Sequence, residues 1–200
     1  MTGISHSVIE WGWAGSALED ESGDLHVVAG FRGGVLVALI DGLGHGPEAA
    51  DAARAAAGVL ESHAGEPVLD LMQRCHEALR RTRGAVMTIA SISAAESALT
   101  WVGVGNVDGV VLRKSGGRAE AIAARGGVVG YQLPPLRASA LSIAPGDLVI
   151  MASDGVRSGF TVNAATDDAP QDVAASVLGR FAKGSDDAHV VVARYLGGLP

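Results

Sequence analysis

Four short segments of this chain place an aspartate beside a glycine, a serine or a second aspartate. The segments are Ser22-Gly23-Asp24, Asp41-Gly42-Leu43-Gly44-His45-Gly46, Ser153-Asp154-Gly155 and Asp186-Asp187. Each of them borders a stretch whose residue pattern predicts a β-strand. Carboxylates gathered from several strand ends are ligands that suit a pair of hard divalent cations. The sequence therefore predicts a divalent-metal site assembled from both halves of the chain.

The first two of these aspartates flank a predicted hairpin. Its arms are Leu25–Gly30 and Val35–Ile40, and the turn between them contains Arg32-Gly33-Gly34. Asp24 precedes the first arm, and Asp41 follows the second. Because antiparallel arms of similar length bring their outer ends together, we expect Asp24 and Asp41 to be neighbours.

The second half of the chain repeats this arrangement. Asp154 follows the predicted strand Asp147–Ala152, and Asp186 precedes the predicted strand Ala188–Tyr195. If these two strands pair antiparallel, their aspartate-bearing ends also meet. Two such pairs that face each other across a two-layer sandwich would place all four aspartates at one rim.

Helical and strand patterns alternate along the rest of the chain. The predicted helices are Pro47–Ser62, Pro67–Arg83 and Pro170–Ala182. The other predicted strands are Ala85–Ser93, Ala98–Val104, Val107–Arg113, Arg118–Ala124, Ala140–Ile143 and one that includes Trp11 and Trp13. We expect residues 1–200 to form a single domain, because this length suits one hydrophobic core.

The composition excludes several classes of protein. The formal net charge of −7 argues against a broad nucleic-acid-binding surface. Cys75 is the single cysteine, so no disulfide can form within the chain and a reducing compartment is expected. Residues 1–6 lack the pattern of a signal peptide, and no apolar run is long enough to span a bilayer. We expect a soluble cytoplasmic protein.

The predicted ligands indicate which metal and which chemistry to expect. Aspartate oxygens favour Mg²⁺ or Mn²⁺, whereas zinc is poorly supported because Cys75 has no partner cysteine and the chain has no HExxH motif. Two hard cations lower the pKa of a bridging water and stabilise charge on a phosphoryl group. Hydrolysis of a phosphate ester, which is extremely slow in water, is the reaction such a site suits.

The aspartate motifs, taken in order, resemble those of a known enzyme family. They are Ser-Gly-Asp at 22–24, Asp-Gly-Leu-Gly-His-Gly-Pro-Glu-Ala-Ala from Asp41, Ala-Ser-Asp-Gly-Val at 152–156 and Asp-Asp-Ala-His-Val-Val-Val-Ala-Arg from Asp186. This set is similar to the bacterial SpoIIE and RsbU branch of the PPM phosphatases, which are metal-dependent serine/threonine phosphatases. The compact length and the segments at 103–107 and 125–130 are most similar to the RsbX type. The resemblance covers nearly the whole chain.

The resemblance implies a fold and a set of ligands. The implied fold is α+β, a four-layer α-β-β-α sandwich of two antiparallel sheets flanked by helices. Asp41 would bridge two or more Mn²⁺ or Mg²⁺ ions with help from the Gly42 carbonyl, and Asp154 and Asp186 would bind from the other half. Asp24 would hold a metal directly or through water. The implied catalytic residues are Asp41 and Asp154, and the implied supporting residues are His45 and Asp187.

The resemblance also implies a substrate. Phosphatases of the RsbX type remove phosphate from serine or threonine on STAS-domain proteins of the stressosome, which resets a stress signal. The expected partner is therefore a phosphorylated protein assembly, with no nucleic acid and no membrane. Two features depart from the family pattern. His189 stands where a threonine is common, and no arginine matches the phosphate-binding arginine of eukaryotic relatives. Arg32 lies in the hairpin turn, at the far end from the aspartates.

Several residues and functions stay open at this point. His45 suits either a general acid, since histidine exchanges protons near neutral pH, or a residue that shapes its loop. Asn106 is expected to be structural rather than part of the rim, and the arginines at 80–83 to form a solvated helix end. The remaining histidines are expected to be structural or exposed, and the tryptophans to pack in the core: His6, His26, His63, His76, Trp11 and Trp13. A non-catalytic phosphoprotein-binding module and a hydrolase of small phosphate esters are the alternative functions.

Overall fold

The computed structural model describes residues 8–160 and 166–198, within which the chain forms ten strands and three helices. The strands are β1 Ile9–Ser16, β2 Asp24–Phe31, β3 Gly34–Gly42, β4 Ala85–Ser93, β5 Ala98–Val104, β6 Asp108–Leu112, β7 Glu120–Ile122, β8 Ser139–Ser142, β9 Leu148–Ala152 and β10 Ala188–Tyr195. The helices are α1 Pro47–Ser62, α2 Val68–Leu79 and α3 Pro170–Phe181.

The strands form two antiparallel five-stranded sheets that pack face to face. The first sheet has the order β1-β10-β9-β6-β7, and the second has the order β2-β3-β4-β5-β8. Helix α3 packs on β1 and β10, outside the first sheet, while α1 and α2 pack outside the second. The predicted α-β-β-α sandwich is confirmed.

The central strands are buried on both faces because each sheet lies between two layers. In β3, Leu36, Ala38 and Ile40 face the core beneath α1 and α2. The alternate residues Val35 and Val37 face the core between the two sheets. This alternation follows from the two-residue period of a strand, and it explains why β3 is a continuous apolar run.

Helix α2 is shorter at its C-terminal end than the sequence predicted. It ends at Leu79, whereas the predicted segment ran to Arg83. The Leu79 carbonyl accepts hydrogen bonds from both the backbone N–H and the side-chain hydroxyl of Thr82, which turns the chain. Gly84 then has φ +83°, a conformation that glycine adopts easily. The arginines at 80–83 therefore lie largely beyond the helix.

Strand β7, at the edge of the first sheet, is also shorter than the sequence predicted. Strand β7 covers Glu120–Ile122, within the predicted Arg118–Ala124. After Ile122 the chain leaves β6 and crosses to the other sheet, where the Arg125 N–H donates to the Gly103 carbonyl. The pairing of β7 with β6 ends for that reason.

Cysteine and tryptophan side chains that the sequence assigned to the core pack against its clusters. Cys75 is buried in the core beneath α1 and α2, as its position on the apolar stripe predicted. Trp11 and Trp13 are half-buried against the core between the sheets.

None of the helices in the described residues has the length and apolar character that crossing a bilayer requires.

Gly12 tests the contact between α3 and the first sheet. A methyl group at Gly12 would lie 2.5 Å from the backbone Cα and N of Gln171, in the first turn of α3. We expect Gly12→Ala to lower the free energy of unfolding by about 1–3 kcal/mol, because the helix must move away from β1. Urea titration measures the change.

Gly179→Ala is the matched control on the exposed face of the same helix. A methyl group there would contact nothing within 4 Å, and alanine is favoured over glycine inside a helix by up to about 1 kcal/mol. This variant should be as stable as the parent or more so. Equal behaviour of the two variants would contradict the packing role of Gly12.

Candidate metal centre

The β2–β3 hairpin places Asp24 opposite Asp41. The register of the two strands pairs these residues directly, and it pairs Phe31 with Gly34 at the turn. The predicted neighbourhood of the two aspartates is confirmed. Arg32, in that turn, lies at the opposite end of the hairpin from the aspartate pair, as expected.

The β9–β10 pair places a second set of carboxylates at the end of the first sheet. Ala152 pairs with Val190, and beyond it the Ser153 N–H donates to the His189 carbonyl at 3.0 Å. The segments that carry Asp154 and Asp186 therefore leave the sheet at the same end, as the antiparallel pairing predicted.

A hydrogen bond across the sandwich joins the two pairs. The Ser153 hydroxyl donates to Asp24 Oδ2 at 2.6 Å, and it accepts a bond of 2.9 Å from the backbone N–H of His189. Both Asp24 and Ser153 are buried. The bond links β2 of the second sheet to the end of β9 in the first, so it sets how the two halves of the site face each other.

Burial and mutual repulsion dominate the electrostatics of this rim. Burial, and after it the charges of Asp24, Asp154, Asp186 and Asp187, together raise the pKa of Asp41 to about 8. The pKa of Asp24 is raised to about 7, mainly by burial; the bond from Ser153 opposes the shift, and the charges of neighbouring aspartates add to it. In the described residues, the ion pairs formed by lysine, arginine and histidine include none of these five aspartates.

The donors at this rim suit hard divalent cations. They are oxygens, they are partly removed from water, and their charge is not compensated by a cationic side chain, so a bound cation would relieve their repulsion. In residues 8–160 and 166–198, no three acidic, histidine or cysteine side chains already converge as a complete ligand set. Mg²⁺ commonly keeps several waters in its shell, and such a shell needs only one or two carboxylates for each ion.

Asp187 has a different environment from its neighbour Asp186. Its Oδ1 accepts the Leu18 N–H and its Oδ2 accepts the Gly23 N–H, each at 2.7 Å. Leu18 and Gly23 bound the loop that leads from β1 into Asp24. Because both oxygens are used in this way and the side chain is buried, Asp187 fixes that loop.

Glycines allow the metal-site segments to approach other backbone closely. A methyl group at Gly42 would lie 2.1 Å from the Ala49 carbonyl oxygen, so β3 and α1 can meet only with glycine there. A methyl group at Gly155 would lie 1.8 Å from the Asp187 carbonyl oxygen. These two glycines keep the segment of Asp41 against α1 and the segment of Asp154 against Asp187.

Asn106 belongs to the rim, whereas the sequence favoured a structural role. Its Nδ2 donates to Asp154 Oδ2 at 2.7 Å. The turn that carries it is fixed by Gly105, which has φ +99° and lies against Val86. The sequence could have indicated this role, because Asn106 comes just after β5, at the same end of the second sheet as Asp41.

His45 lies against an acidic side chain at the edge of the site. Its Nδ1 lies 2.7 Å from Glu19 Oε1, and both side chains are about half exposed. Glu19 also lies against Gly46, where a methyl group would be 2.8 Å from Oε2. The contact orients Nδ1 of His45, and among the described residues Nε2 has no hydrogen-bond partner.

A neutral histidine pair lies beneath the carboxylates. His26 Nδ1 and His189 Nε2 are 2.8 Å apart, and the His189 ring stacks on Trp13 with 4° between the planes. Burial lowers the pKa of His26 to about 4; burial and the charge of His26 lower the pKa of His189 to about 3. Both rings are therefore neutral at pH 7, and the carboxylate charge is not cancelled from this side.

The other histidines have structural partners or lie outside the described residues. His63 Nδ1 is 2.9 Å from the Val59 carbonyl oxygen, and His76 Nδ1 accepts the Gly130 N–H at 3.0 Å. His6, with the rest of residues 1–7, lies outside the described residues. The structural interpretation of His26, His63 and His76 is confirmed, but the pairing of His26 with His189 was not anticipated.

Comparison with known proteins identifies the family. A family model described as stage II sporulation protein E (SpoIIE) matches residues 32–196. Because the match covers most of the chain, including the segments of Asp41, Asp154 and Asp186, the chain belongs to the SpoIIE family. The resemblance inferred from the aspartate motifs is confirmed.

Three relatives show the extent of the similarity. Phosphoserine phosphatase RsbX of Bacillus subtilis (strain 168) is 33% identical over 82 residues, which are 41% of this chain and 41% of RsbX, so the match spans less than half of that relative. A chain solved in work on the bacterial stressosome, "a modular system that has been adapted to control secondary messenger signaling", is 31% identical with a TM-score of 0.85, and the match covers 93% of this chain and 99% of that one. The crystal structure of RsbX in complex with magnesium has a TM-score of 0.85 at 20% identity, covering 96% and 98%.

The raised pKa values predict how stability depends on pH when metal is removed. Between about pH 6.5 and 8, Asp24 and Asp41 hold more protons in the folded chain than in the unfolded chain. The free energy of unfolding should therefore fall as pH rises, by about 1–2 kcal/mol per pH unit. His26 and His189 have pKa values lowered from 6.5, so they add a rise of stability with pH that ends only about one pH unit above 6.5 and partly offsets the fall up to there. Urea titrations in EDTA at four pH values measure the slope.

Asp41→Asn should make that slope shallower, because one of the two titrating carboxylates is removed. Asp70→Asn, at an exposed position in the first turn of α2, should leave the slope unchanged. A free energy of unfolding that rises with pH across this window, or an unchanged slope in Asp41→Asn, would refute the described electrostatics.

Proposed function

We propose that this chain is a metal-dependent phosphoprotein phosphatase that hydrolyses phosphoserine or phosphothreonine. The observation that carries the proposal is the group of aspartates at one rim, in which Asp24 and Asp41 are desolvated and repelled by their neighbours. Such a group suits cations that bind and activate phosphate esters. Membership of the SpoIIE family and similarity to a phosphoserine phosphatase support the assignment.

The proposed ligands come from both sheets. They are Asp24, Asp41, the Gly42 carbonyl, Asp154 and Asp186. Asp41 and Asp154 are proposed as the catalytic residues, since each presents a carboxylate from one half of the site. When bound, two or more Mn²⁺ or Mg²⁺ ions supply water activation and charge stabilisation on the phosphoryl oxygens. The RsbX structure that the chain resembles is a complex with magnesium, which supports a divalent cofactor.

The surrounding residues hold these carboxylates in place without neutralising them. The Ser153 hydroxyl orients Asp24, and the Asn106 amide orients Asp154. Asp187 supports the site from behind, since it accepts the N–H groups at both ends of the loop before Asp24. Because all these donors are neutral, they fix geometry and leave the negative charge for the cations.

The proposed substrates are phosphorylated STAS-domain proteins of a stressosome-type assembly. Similarity to a chain solved in work on the bacterial stressosome, and to RsbX, supports this choice of partner. Removal of phosphate from such proteins would reset a stress-signalling pathway. We place the reaction in the cytoplasm, which suits a chain whose single cysteine is buried and reduced.

Two other functions use the same fold. A non-catalytic phosphoprotein-binding module would need no carboxylate group of this kind, and the full set of aspartates therefore favours an enzyme. A hydrolase of small phosphate esters would use the same metals. Comparison of a phosphoserine peptide with small phosphate esters as substrates separates this hydrolase from a phosphoprotein phosphatase.

Loss of Asp41 or Asp154 should abolish turnover. We expect Asp41→Ala and Asp154→Ala to lower hydrolysis of p-nitrophenyl phosphate with Mn²⁺ by at least about 100-fold, because each removes a ligand of the cations. EDTA should abolish the activity of the parent. Asp70→Ala, which removes an exposed carboxylate from α2, is the matched control and should keep full activity.

Calorimetric titration of Mn²⁺ into the same samples gives a readout besides activity. The parent and Asp70→Ala should bind Mn²⁺, and Asp41→Ala should bind it more weakly. Near-normal turnover in both alanine variants would disprove the assigned site. Metal binding without turnover of any phosphate ester, including a phosphoserine peptide, would favour the binding-module function.

His45 is proposed as the general acid that protonates the leaving serine oxygen, oriented by Glu19. A serine alkoxide leaves poorly without a proton, whereas p-nitrophenolate does not need one. His45→Gln should therefore lower kcat on a phosphoserine peptide by about 100-fold or more and change hydrolysis of p-nitrophenyl phosphate little. Glu19→Gln should show a weaker form of the same selectivity.

Equal losses on both substrates would instead indicate that His45 shapes the loop that contains Asp41. In that case Glu19→Gln should reproduce the loss on p-nitrophenyl phosphate as well. Rates on both substrates, measured at saturating Mn²⁺, distinguish these outcomes.

A further inference from the structure

The turn between α2 and β4 presents three arginines to solvent. Arg80, Arg81 and Arg83 are all exposed, in a chain whose formal net charge is −7. Arg80 caps the C-terminal end of α2 and pairs with Glu77. Arg81 and Arg83 lie beyond the helix. Stabilisation of a helix end explains Arg80, and an ion pair with Glu48 holds Arg83, whereas no ion pair within the described residues accounts for Arg81.

An exposed tyrosine lies beside this turn. Tyr131 is 85% exposed, which is the highest exposed fraction of any large apolar side chain among the described residues. It sits in a tight hairpin in which the N–H groups of Tyr131 and Gln132 both donate to the Val128 carbonyl. An exposed aromatic ring on a fixed backbone loses little conformational entropy on binding, which makes it suited to an interface.

Contacts of Gly130 fix that hairpin against the end of α2. The Gly130 N–H donates to His76 Nδ1 at 3.0 Å. A methyl group at Gly130 would lie 2.8 Å from the Leu79 carbonyl oxygen, and its φ is +96°. Tyr131 therefore directly follows a residue that contacts the last turn of α2. The arginine turn begins at the end of that helix.

The same turn contacts the loop that carries Asp41 and Gly42. The Leu43 N–H donates to the Gly84 carbonyl at 3.0 Å. The Arg83 guanidinium pairs with Glu48 at the start of α1, and a methyl group at Gly44 would lie 2.9 Å from its Nη1. The exposed arginines therefore border the candidate metal centre.

We propose that Arg80, Arg81, Arg83 and Tyr131, here called the Arg–Tyr surface, form the docking surface for the phosphoprotein substrate. The inference rests on the proposed phosphatase function and names how that substrate is recognised. The occupant is an acidic protein segment around the phosphorylated serine, with Arg83 nearest to the phosphate and Arg81 and Tyr131 further from it.

Charge complementarity is the reason for choosing an acidic partner. Within residues 8–160 and 166–198, Arg81 forms no ion pair, so its charge is available to a partner. Arginine and tyrosine are also the residues that most often dominate binding energy at protein interfaces. The negative charge of the whole chain disfavours an extended polyanion, whereas a short acidic segment contacts only the basic surface.

The test uses a fluorescein-labelled peptide with one phosphoserine flanked by glutamates, and a second peptide with lysines in their place. Anisotropy titrations in EDTA measure binding, and phosphate release with Mn²⁺ measures kcat/KM. We expect Arg81→Glu to weaken binding of the glutamate peptide by about 10-fold or more, and Tyr131→Ala to weaken it by several-fold. Both should lower kcat/KM through KM and leave hydrolysis of p-nitrophenyl phosphate unchanged.

Arg32→Glu is the matched control, with the same change of charge at the far end of the β2–β3 hairpin. Equal weakening by Arg32→Glu and Arg81→Glu, or equal binding of the two peptides by the parent, would overturn the docking surface. A parallel loss of p-nitrophenyl phosphate hydrolysis in Arg81→Glu would overturn it too.

The two proposals fail in different ways. A parent protein that binds the glutamate peptide through Arg81 but hydrolyses no phosphate ester refutes the phosphatase function and keeps the docking surface. A parent that hydrolyses both substrates, with kcat/KM on the peptide unaffected by Arg81→Glu and Tyr131→Ala, keeps the phosphatase function and refutes the docking surface.

Discussion

The desolvation and mutual repulsion of the carboxylates at the rim are the constraint on which the rest of this structure depends. Two of them, Asp24 and Asp41, are desolvated on neighbouring strands, and their raised pKa values report the resulting cost. A folded chain tolerates that cost only if the surrounding backbone is rigid. The rigidity comes from the central strands of two sheets, from glycines that allow close backbone contact, and from the Ser153–Asp24 bond between the sheets.

Asp147 shows how the same chain stabilises a buried carboxylate that lies outside the candidate metal centre. Burial alone would raise its pKa, but the N–H groups of Ala144 and Lys114 and the Arg113 guanidinium lower it below the ordinary value. Within residues 8–160 and 166–198, the Asp24 carboxylate accepts a hydrogen bond only from the neutral Ser153 hydroxyl, and Asp154 accepts one from the neutral Asn106 amide. A cationic partner at these positions would compete with a metal ion, so the contrast between the two environments supports the proposal that Asp24 and Asp154 are metal ligands.

The sequence predicted the parts of the site that depend on local geometry. The pairing of Asp24 with Asp41 follows from a short turn and two arms of similar length, which need no knowledge of the rest of the fold. The contacts of Asp187 with Leu18 and Gly23 could not be predicted in this way, because they join residues more than 160 positions apart through loops. The His26–His189 pair could not be predicted for the same reason, since the two residues lie on different sheets.

The arginine turn shows why a helical pattern alone can mislead. The apolar stripe of α2 ends at Leu79, and the following charged residues fit a helix equally well by composition, so the sequence placed them at a solvated helix end. Thr82 and Gly84 reverse the chain instead, and the turn is carried against Leu43 beside Asp41. A partner bound there would touch the same backbone that positions the proposed metal ligands. If the Arg–Tyr surface binds the substrate as proposed, recognition of the substrate and geometry of the site would be linked through the hydrogen bond between Leu43 and Gly84.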